Sequence, residues 1–228
     1  MASYFLTPDV YLCQRGDAII FLDLHNDEYS LASGHAAKAL RGLLDHGCEP
    51  PLNAPDNPLL ELLEGGLLKS DGSQGRALAS TSVEMALDKL SESEYTTTPR
   101  VKISHVCRFM LACASASLQL RFRSLHATID AVRRRKQRRG TGHGTDLQRA
   151  AEMTSVFEQL RWFFPRDYLC LYDSLALIEF LAAYRIFPTW IFGVSLEPWG
   201  AHCWVQEHGF TFNEGVEEAA NYTPIMAI

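Results

Sequence analysis

The sequence predicts an α+β protein of two domains, residues 1–70 and 101–228, joined by a linker over 71–100. Three observations carry this. The first 70 residues open with short alternating and β-branched runs and then turn to helical spacing. Residues 71–100 are rich in Ser, Thr, Gly and Gln and close on Thr96-Thr97-Thr98-Pro99. From Val101 onward helical patterns dominate until two apolar strands appear near the C-terminus. A chain of 228 residues with 47% hydrophobic and 21% charged side chains has the length and balance for such an arrangement.

In the first domain, Val10-Tyr11-Leu12-Cys13-Gln14 reads as a strand and Arg15-Gly16-Asp17 as a turn. Ala18–Leu24 is a second strand, His25-Asn26-Asp27 supplies turn chemistry, and Glu28–Leu31 alternates as a third. Together they predict a three-stranded meander. Ser33 is placed to cap a helix running to Asp45, with Ala36, Ala39, Leu40, Leu43 and Leu44 on one face and Gly47 at its end. After a Pro-rich loop, Asn57 and Pro58 fit the cap and first position of a short helix over Leu59–Glu64. Gly65-Gly66 ends that helix, and Leu67-Leu68-Lys69 forms a last strand.

The linker contains one helical pattern, Val83–Leu90. In the second domain, residues 101–139 read as helical and end in the basic run Arg133–Arg139. Gly140-Thr141-Gly142-His143-Gly144 breaks the pattern, and Thr145 or Asp146 can cap a helix that runs to Phe163 before Pro165. The next helix spans Cys170–Ala183. Pro188–Val194 is a buried strand, and His202–Val205 pairs with Phe210–Phe212 across a His208-Gly209 turn.

The formal net charge of −6 conceals an asymmetry. Residues 1–99 carry 15 acidic and 6 basic side chains, residues 100–139 carry 1 and 11, and residues 140–228 carry 11 and 4. The acidic first domain opposes phosphate contacts and so argues against nucleic acid as a partner. The basic run reads as a solvated helix face or as a docking patch for an acidic surface. No uninterrupted apolar run reaches the roughly 18 residues of a transmembrane helix, and the N-terminus lacks a signal-peptide pattern, which predicts a cytoplasmic protein. The six cysteines, at 13, 48, 107, 113, 170 and 203, form no CxxC pair and no zinc-ligand spacing, so no metal is expected and free thiols are.

Two of the segments carry chemistry. Cys170 opens an apolar helix after the Pro165 break, where backbone N–H groups and the helix dipole favour a thiolate. Its own N–H is free to help hold an oxyanion. His202, 32 residues on, stands at the head of an alternating strand after Pro198-Trp199-Gly200, placed to act as general base. A third group must orient the imidazole, and Asn213 or Glu214, just after the paired strand, is in reach. A cysteine in an apolar helix is ordinarily core, and so is a histidine beside a tryptophan. The order of helix-first cysteine, strand-first histidine and strand-end carboxylate is nevertheless that of the papain-like and transglutaminase-like hydrolases.

The chain resembles the lasso-peptide maturation proteases, the B proteins of lasso-peptide gene clusters. The likeness rests on Cys170-Leu171-x-x-Ser174-Leu175-Ala176-Leu177, Phe192-Gly193-Val194, Ala201-His202-x-Trp204-Val205 and Asn213. It also rests on Val10–Asp17, Ile20–Leu24 and Asp27-x-Tyr29 in the first domain, so it covers nearly all of the chain except the linker. The resemblance implies a papain/transglutaminase-like cysteine protease domain that removes the leader of a ribosomally made precursor. Cys170 would be the nucleophile and His202 the base. The family usually has Asp directly after an Asn as the third member; here that position is Glu214, one methylene longer, with Asn213 as the alternative.

The first 70 residues would then be a winged-helix-like precursor-recognition element. It would bind the leader as an added strand beside Glu28–Leu31, with Tyr29, Leu31, Leu60 and Leu63 lining the groove. The implied partners are the precursor peptide and an ATP-dependent, asparagine-synthetase-like lasso cyclase. No cofactor is expected on this chain, and ATP would act only through that partner. Two other functions use the same residues: a non-catalytic scaffold delivering the precursor to the cyclase, and a true transglutaminase forming isopeptide bonds.

Overall fold

The computed structural model describes residues 4–47, 50, 56–95, 99–139, 146–165 and 167–228. The chain divides into two compact units, one of residues 1–82 with 223–226, the other of residues 83–222 with 227–228.

In the first unit, β1 (Phe5–Leu6) lies between β5 (Leu68–Lys69) and β6 (Arg76–Ala77). The meander follows as β2 (Val10–Arg15), β3 (Ala18–Asp23) and β4 (Glu28–Ala32), antiparallel throughout, with β4 at an edge. Gly16 and Asp27 hold positive φ, 59° and 57°, which is why Gly and Asp occupy these turns. Helix α1 (Gly34–His46) ends at Gly47, whose left-handed backbone lets its N–H meet the Gly42 and Leu43 carbonyls. Ser33 stands at the N-cap but its hydroxyl makes no cap bond. Helix α2 (Leu60–Glu64) starts where Asn57 Oδ1 accepts the Leu59 N–H at 3.0 Å. Leu6, Leu12, Ile19, Phe21, Leu40 and Leu59 are fully buried together and form this unit's core.

The second unit begins in extended chain where a helix was expected at Val83–Leu90. There β7 (Asp88–Lys89) pairs parallel to a later strand, and Leu90–Glu92 makes a single 3-10 turn. The Val83–Leu90 pattern is tertiary in origin, since the Leu87 N–H is taken by the Gly209 carbonyl at 2.7 Å. The helical stretch 101–139 is two helices, α3 (Ile103–Phe122) and α4 (Leu125–Arg139), followed by α5 (Leu147–Trp162) and α6 (Cys170–Ala182). Asp146 caps α5 through the Arg149 N–H, 3.1 Å.

By length and composition α3 passes as a membrane-crossing helix, the one among the described residues that does, although no uninterrupted apolar run was long enough in sequence. Core helices pass the same test, and part of α3 is buried inside the protein: Phe109, Ala112, Cys113 and Ala116 pack inward. Helix α6 is apolar nearly all round and buried from Tyr172 to Ala182 except at Glu179, as suits a central helix. Glu179 ties it to its neighbours, accepting from Gln119 at 3.0 Å and from Arg135 at 2.7 Å.

The basic run is largely engaged within the protein. Arg133 and Arg134 pair with Asp130 and Arg135 with Glu179, while Lys136 donates to Thr189 Oγ1 at 3.0 Å.

A sheet of β8 (Thr189–Leu196), β9 (Trp199–Glu207), β10 (Phe210–Thr211) and β7, in that order, completes the unit. The turn between β9 and β10 is His208-Gly209, both with positive φ. Helix α7 (Val216–Ala220) and β11 (Thr223–Ala227) end the chain, and Ile228 exchanges backbone hydrogen bonds with Trp190 at 2.8 and 3.0 Å. β9 starts at Trp199, three residues earlier than the sequence indicated, so His202 lies inside a strand and the turn is Glu197-Pro198. Gly200 and Ala201 carry little apolar signal, but pairing with Ser195 and Val194 extends the ladder through them.

Candidate active site

Cys170 occupies the first position of α6, and the chain leading to it is held by a buried ion pair. Arg161, near the end of α5, hydrogen-bonds through Nε and Nη2 to both carboxylate oxygens of Asp173, one turn into α6. The same guanidinium donates to the carbonyls of Phe164, at 3.3 Å, and Asp167, at 3.1 Å. Asp173 also accepts the Leu169 N–H at 2.8 Å, which closes the N-terminus of α6 around its own first turn. The α5–α6 connection is thereby fixed against the helix that carries the thiol.

The first turn of α6 meets β9 at its edge, where β10 has stopped pairing. Cys203, itself buried, is a link of β9 that β10 leaves unpaired, and α6 supplies its partners. Its backbone N–H donates to the Cys170 sulfur, and its carbonyl accepts Ser174 Oγ at 3.1 Å. Residues 170 and 174 are one helical turn apart and so lie on one face. Asn213 completes the joint: its Oδ1 accepts the Val205 N–H at 2.8 Å and its Nδ2 donates to Ser174 Oγ at 2.9 Å.

His202 projects from β9 between two aromatic rings. Its imidazole stacks on Tyr222, centroids 4.8 Å apart, and on Trp204 at 6.1 Å. Directly across the ladder is Gly193, where a Cβ would come within 2.9 Å of both Trp204 Cζ3 and Tyr222 Cβ. A glycine there leaves room for the rings that hold the imidazole. Glu214 Oε2 lies 2.7 Å from His202 Nε2, which leaves Nδ1 for the thiol side. Thr211 Oγ1 donates to the Glu214 carbonyl at 2.6 Å and Tyr168 Oη reaches Glu214 Oε2 at 3.5 Å, so the carboxylate is itself positioned.

The structure thus brings Cys170, His202 and Glu214 together. Of the two residues able to orient the imidazole, Glu214 faces it while Asn213 is committed to Val205 and Ser174. The extra methylene of Glu, relative to Asp, does not prevent the contact.

Electrostatics follow from these bonds. Hydrogen bonds from the Cys203 thiol and then from His202 lower the Cys170 thiol from its ordinary 9.0 to about 4, against the opposing effect of burial. Burial works against a charged His202, but its bonds to the Cys170 thiolate and to Glu214 outweigh burial and raise it from 6.5 to about 9. Glu214 is held below its usual value, since the bond to His202 overcomes burial. Between those limits the pair is a thiolate and an imidazolium. Cys170 at the first helical position also has no intrahelical acceptor for its N–H, leaving that donor beside the sulfur.

A thiolate, an imidazolium that can give and recover a proton, and a carboxylate fixing the ring are the groups that thiol acyl transfer requires. A family model for the transglutaminase-like superfamily matches residues 104–227, more than half of the chain. The chain belongs to the transglutaminase-like superfamily, which includes both cysteine peptidases and transglutaminases. No curated protein and no solved structure matches it.

The residues expected to bind a leader all lie in the first unit. Tyr29 and Leu31 are on the edge strand β4, with Leu31 56% exposed. Leu60 is exposed on α2, whereas Leu63 packs against the core. An open cavity of about 710 Å³ lies beside α1, lined by His35, Lys38, Ala39, Gly42, Pro50, Asp56 and Pro58. None of the four residues is among its described lining. Sequence reasoning did not single out Arg161, Asp173, Cys203 or Tyr222. An acidic residue three positions after the nucleophile inside an apolar helix was a readable sign of Asp173's burial; nothing local marked Tyr222.

Proposed function

We propose that this protein is a cysteine endopeptidase that removes the leader of a lasso-peptide precursor. The observation that carries the peptidase reading is the 2.7 Å contact between His202 and Glu214 beside a thiol whose neighbours lower it to about 4. In this reading the Cys170 thiolate attacks the carbonyl at the leader–core junction. The Cys170 N–H assists the oxyanion, and the His202 imidazolium protonates the departing amine. His202, neutral after that step, takes a proton from the water that hydrolyses the thioester and regenerates the pair.

Support for the leader as substrate comes from the first unit. β4 is an edge strand with Leu31 facing solvent, as strand addition requires. The motifs shared with the lasso B proteins run through both units. The freed core N-terminus would pass to an ATP-dependent cyclase, the partner this reading assigns.

Mass spectrometry of the cognate precursor incubated with the cyclase, ATP and either this protein or its Cys170→Ala variant tests it. Release of the leader only by the intact cysteine is the expected result. Equal release by both, or none despite tight leader binding, would leave precursor delivery as the role. An amine-linked product in place of a hydrolysed one would mark a transglutaminase.

A further inference from the structure

Helix α3 is apolar on two sides, and the fold uses one of them. His105, Phe109, Ala112, Cys113 and Ala116 turn into the protein. On the opposite side Ile103, Cys107, Leu111, Leu118 and Phe122, with Ala114 between them, repeat at the three-to-four-residue spacing of a single helical face. All of them are exposed, Ile103 at 84%, Leu111 at 70% and Phe122 at 76%. A solitary exposed leucine is ordinary on a protein surface, but a continuous apolar stripe along a 20-residue helix marks a place where something docks. The charges around the stripe have one sign. Arg108 and Arg121 are the charged residues of α3, Lys102 precedes it, Arg123 follows it, and residues 100–129 contain no Asp or Glu.

We propose that the outer face of α3 docks the protein on an anionic membrane surface, with the helix lying in the headgroup plane and its apolar stripe among the upper acyl chains. The inference does not depend on the peptidase reading. Charge complementarity selects the occupant: two copies meeting through this face would bring like charges together, whereas acidic headgroups neutralise them. Area points the same way. A 20-residue helix is about 30 Å long, and a stripe about 10 Å wide along it offers about 300 Å², well short of the roughly 800 Å² per partner of a stable protein interface. A lipid surface needs no such matching partner. The helix lies on the membrane and does not cross it, because its other face belongs to the core of the fold. Aromatic side chains suited to the headgroup region stand nearby. Trp162 and Phe163 are 86% and 83% exposed, and the next residue, Phe164, packs edge-on against Phe109 of α3 with centroids 5.8 Å apart.

The test is flotation of the full chain with vesicles of phosphatidylcholine alone and of phosphatidylcholine mixed with phosphatidylglycerol. Wild type should float with the mixed vesicles and far less with the neutral ones. The double variant Leu111→Asp, Leu118→Asp should lose about tenfold or more of that binding. Both leucines are exposed, so the fold should stand, and unchanged Cys170 alkylation by iodoacetamide checks that it does. Arg121→Gln with Arg123→Gln, which leaves the stripe intact, should lose about tenfold on the mixed vesicles and nothing on the neutral ones. Wild type that does not float, or that floats equally with both vesicles, overturns the proposal, as does flotation that the leucine changes leave intact. Sedimentation velocity covers the rival occupant: a dimer that Leu111→Asp, Leu118→Asp dissociates would assign the face to a second copy of the chain and overturn the lipid assignment.

Discussion

Glu214→Gln is the most discriminating change at the site. The carboxylate lies 2.7 Å from His202 Nε2 in a place where both side chains are largely shielded, at 16% and 11% exposure. A hydrogen bond between charged partners in such a setting is worth about 1.5–3 kcal/mol. At about 1.4 kcal/mol per pKa unit, its loss lowers the imidazolium's pKa by about one to two units. The wild-type imidazolium persists to about pH 9 and the thiolate to about pH 4, so the competent pair is lost as pH falls through the lower limit and as it rises through the upper. The signs differ because the cysteine shift is downward and the histidine shift upward. The pH dependence of Cys170 alkylation by iodoacetamide, read by mass spectrometry, gives the lower limb, and the pH dependence of the His202 ring resonances in NMR gives the upper. In Glu214→Gln the upper limb should move down by about one to two units while Cys170 remains reactive at neutral pH. An upper limb that stays in place would show that Glu214 does not hold the imidazolium and would refute the assignment.

Three further outcomes are expected. Arg161→Met leaves the Asp173 carboxylate, 2% exposed, without its partner and should cost about 3–5 kcal/mol, read as a fall of roughly 6–20 °C in the unfolding temperature. Gly193→Ala forces Trp204 or Tyr222 aside and should lower stability by about 1–3 kcal/mol. The same variant should disturb the upper limb more than the lower, since His202 stacks on both of those rings. If β4 carries the leader, Leu31→Asp should weaken leader binding by about tenfold or more in fluorescence anisotropy and leave Cys170 alkylation unchanged.

Elements with strong local signals were readable from sequence. The three strands of the meander, α1 with its Gly47 stop, α5 with Asp146 at its cap and the start of α6 at Cys170 all carry turn or cap residues beside a periodic run. What failed was set by distant partners. Val83–Leu90 has helical spacing but is drawn into extended chain by β10 and the 208–209 turn. The head of β9 exists because β8 pairs with Gly200 and Ala201, not because those residues prefer strands. At the site, chain order located Cys170, His202 and the Asn213-Glu214 pair. Only the arrangement of the first turn of α6 against β9 separates Asn213, which builds the joint, from Glu214, which faces the imidazole.

The lone edge of β9 at Cys203 ties the charge state of the nucleophile to the integrity of the sheet. While Cys170 is a thiolate, the Cys203 N–H has an anion to bind, and the sheet margin is sealed by the sulfur that the proposed function makes the nucleophile. Conversion of that sulfur to a thioester removes the anion and leaves the N–H facing a far weaker acceptor. Acylation would thus unseat one rung of the scaffold and deacylation restore it, so part of the drive to shed the acyl group would reside in the backbone. A reporter on the Cys203 amide, such as its hydrogen-exchange rate, would then follow the catalytic cycle from within the fold.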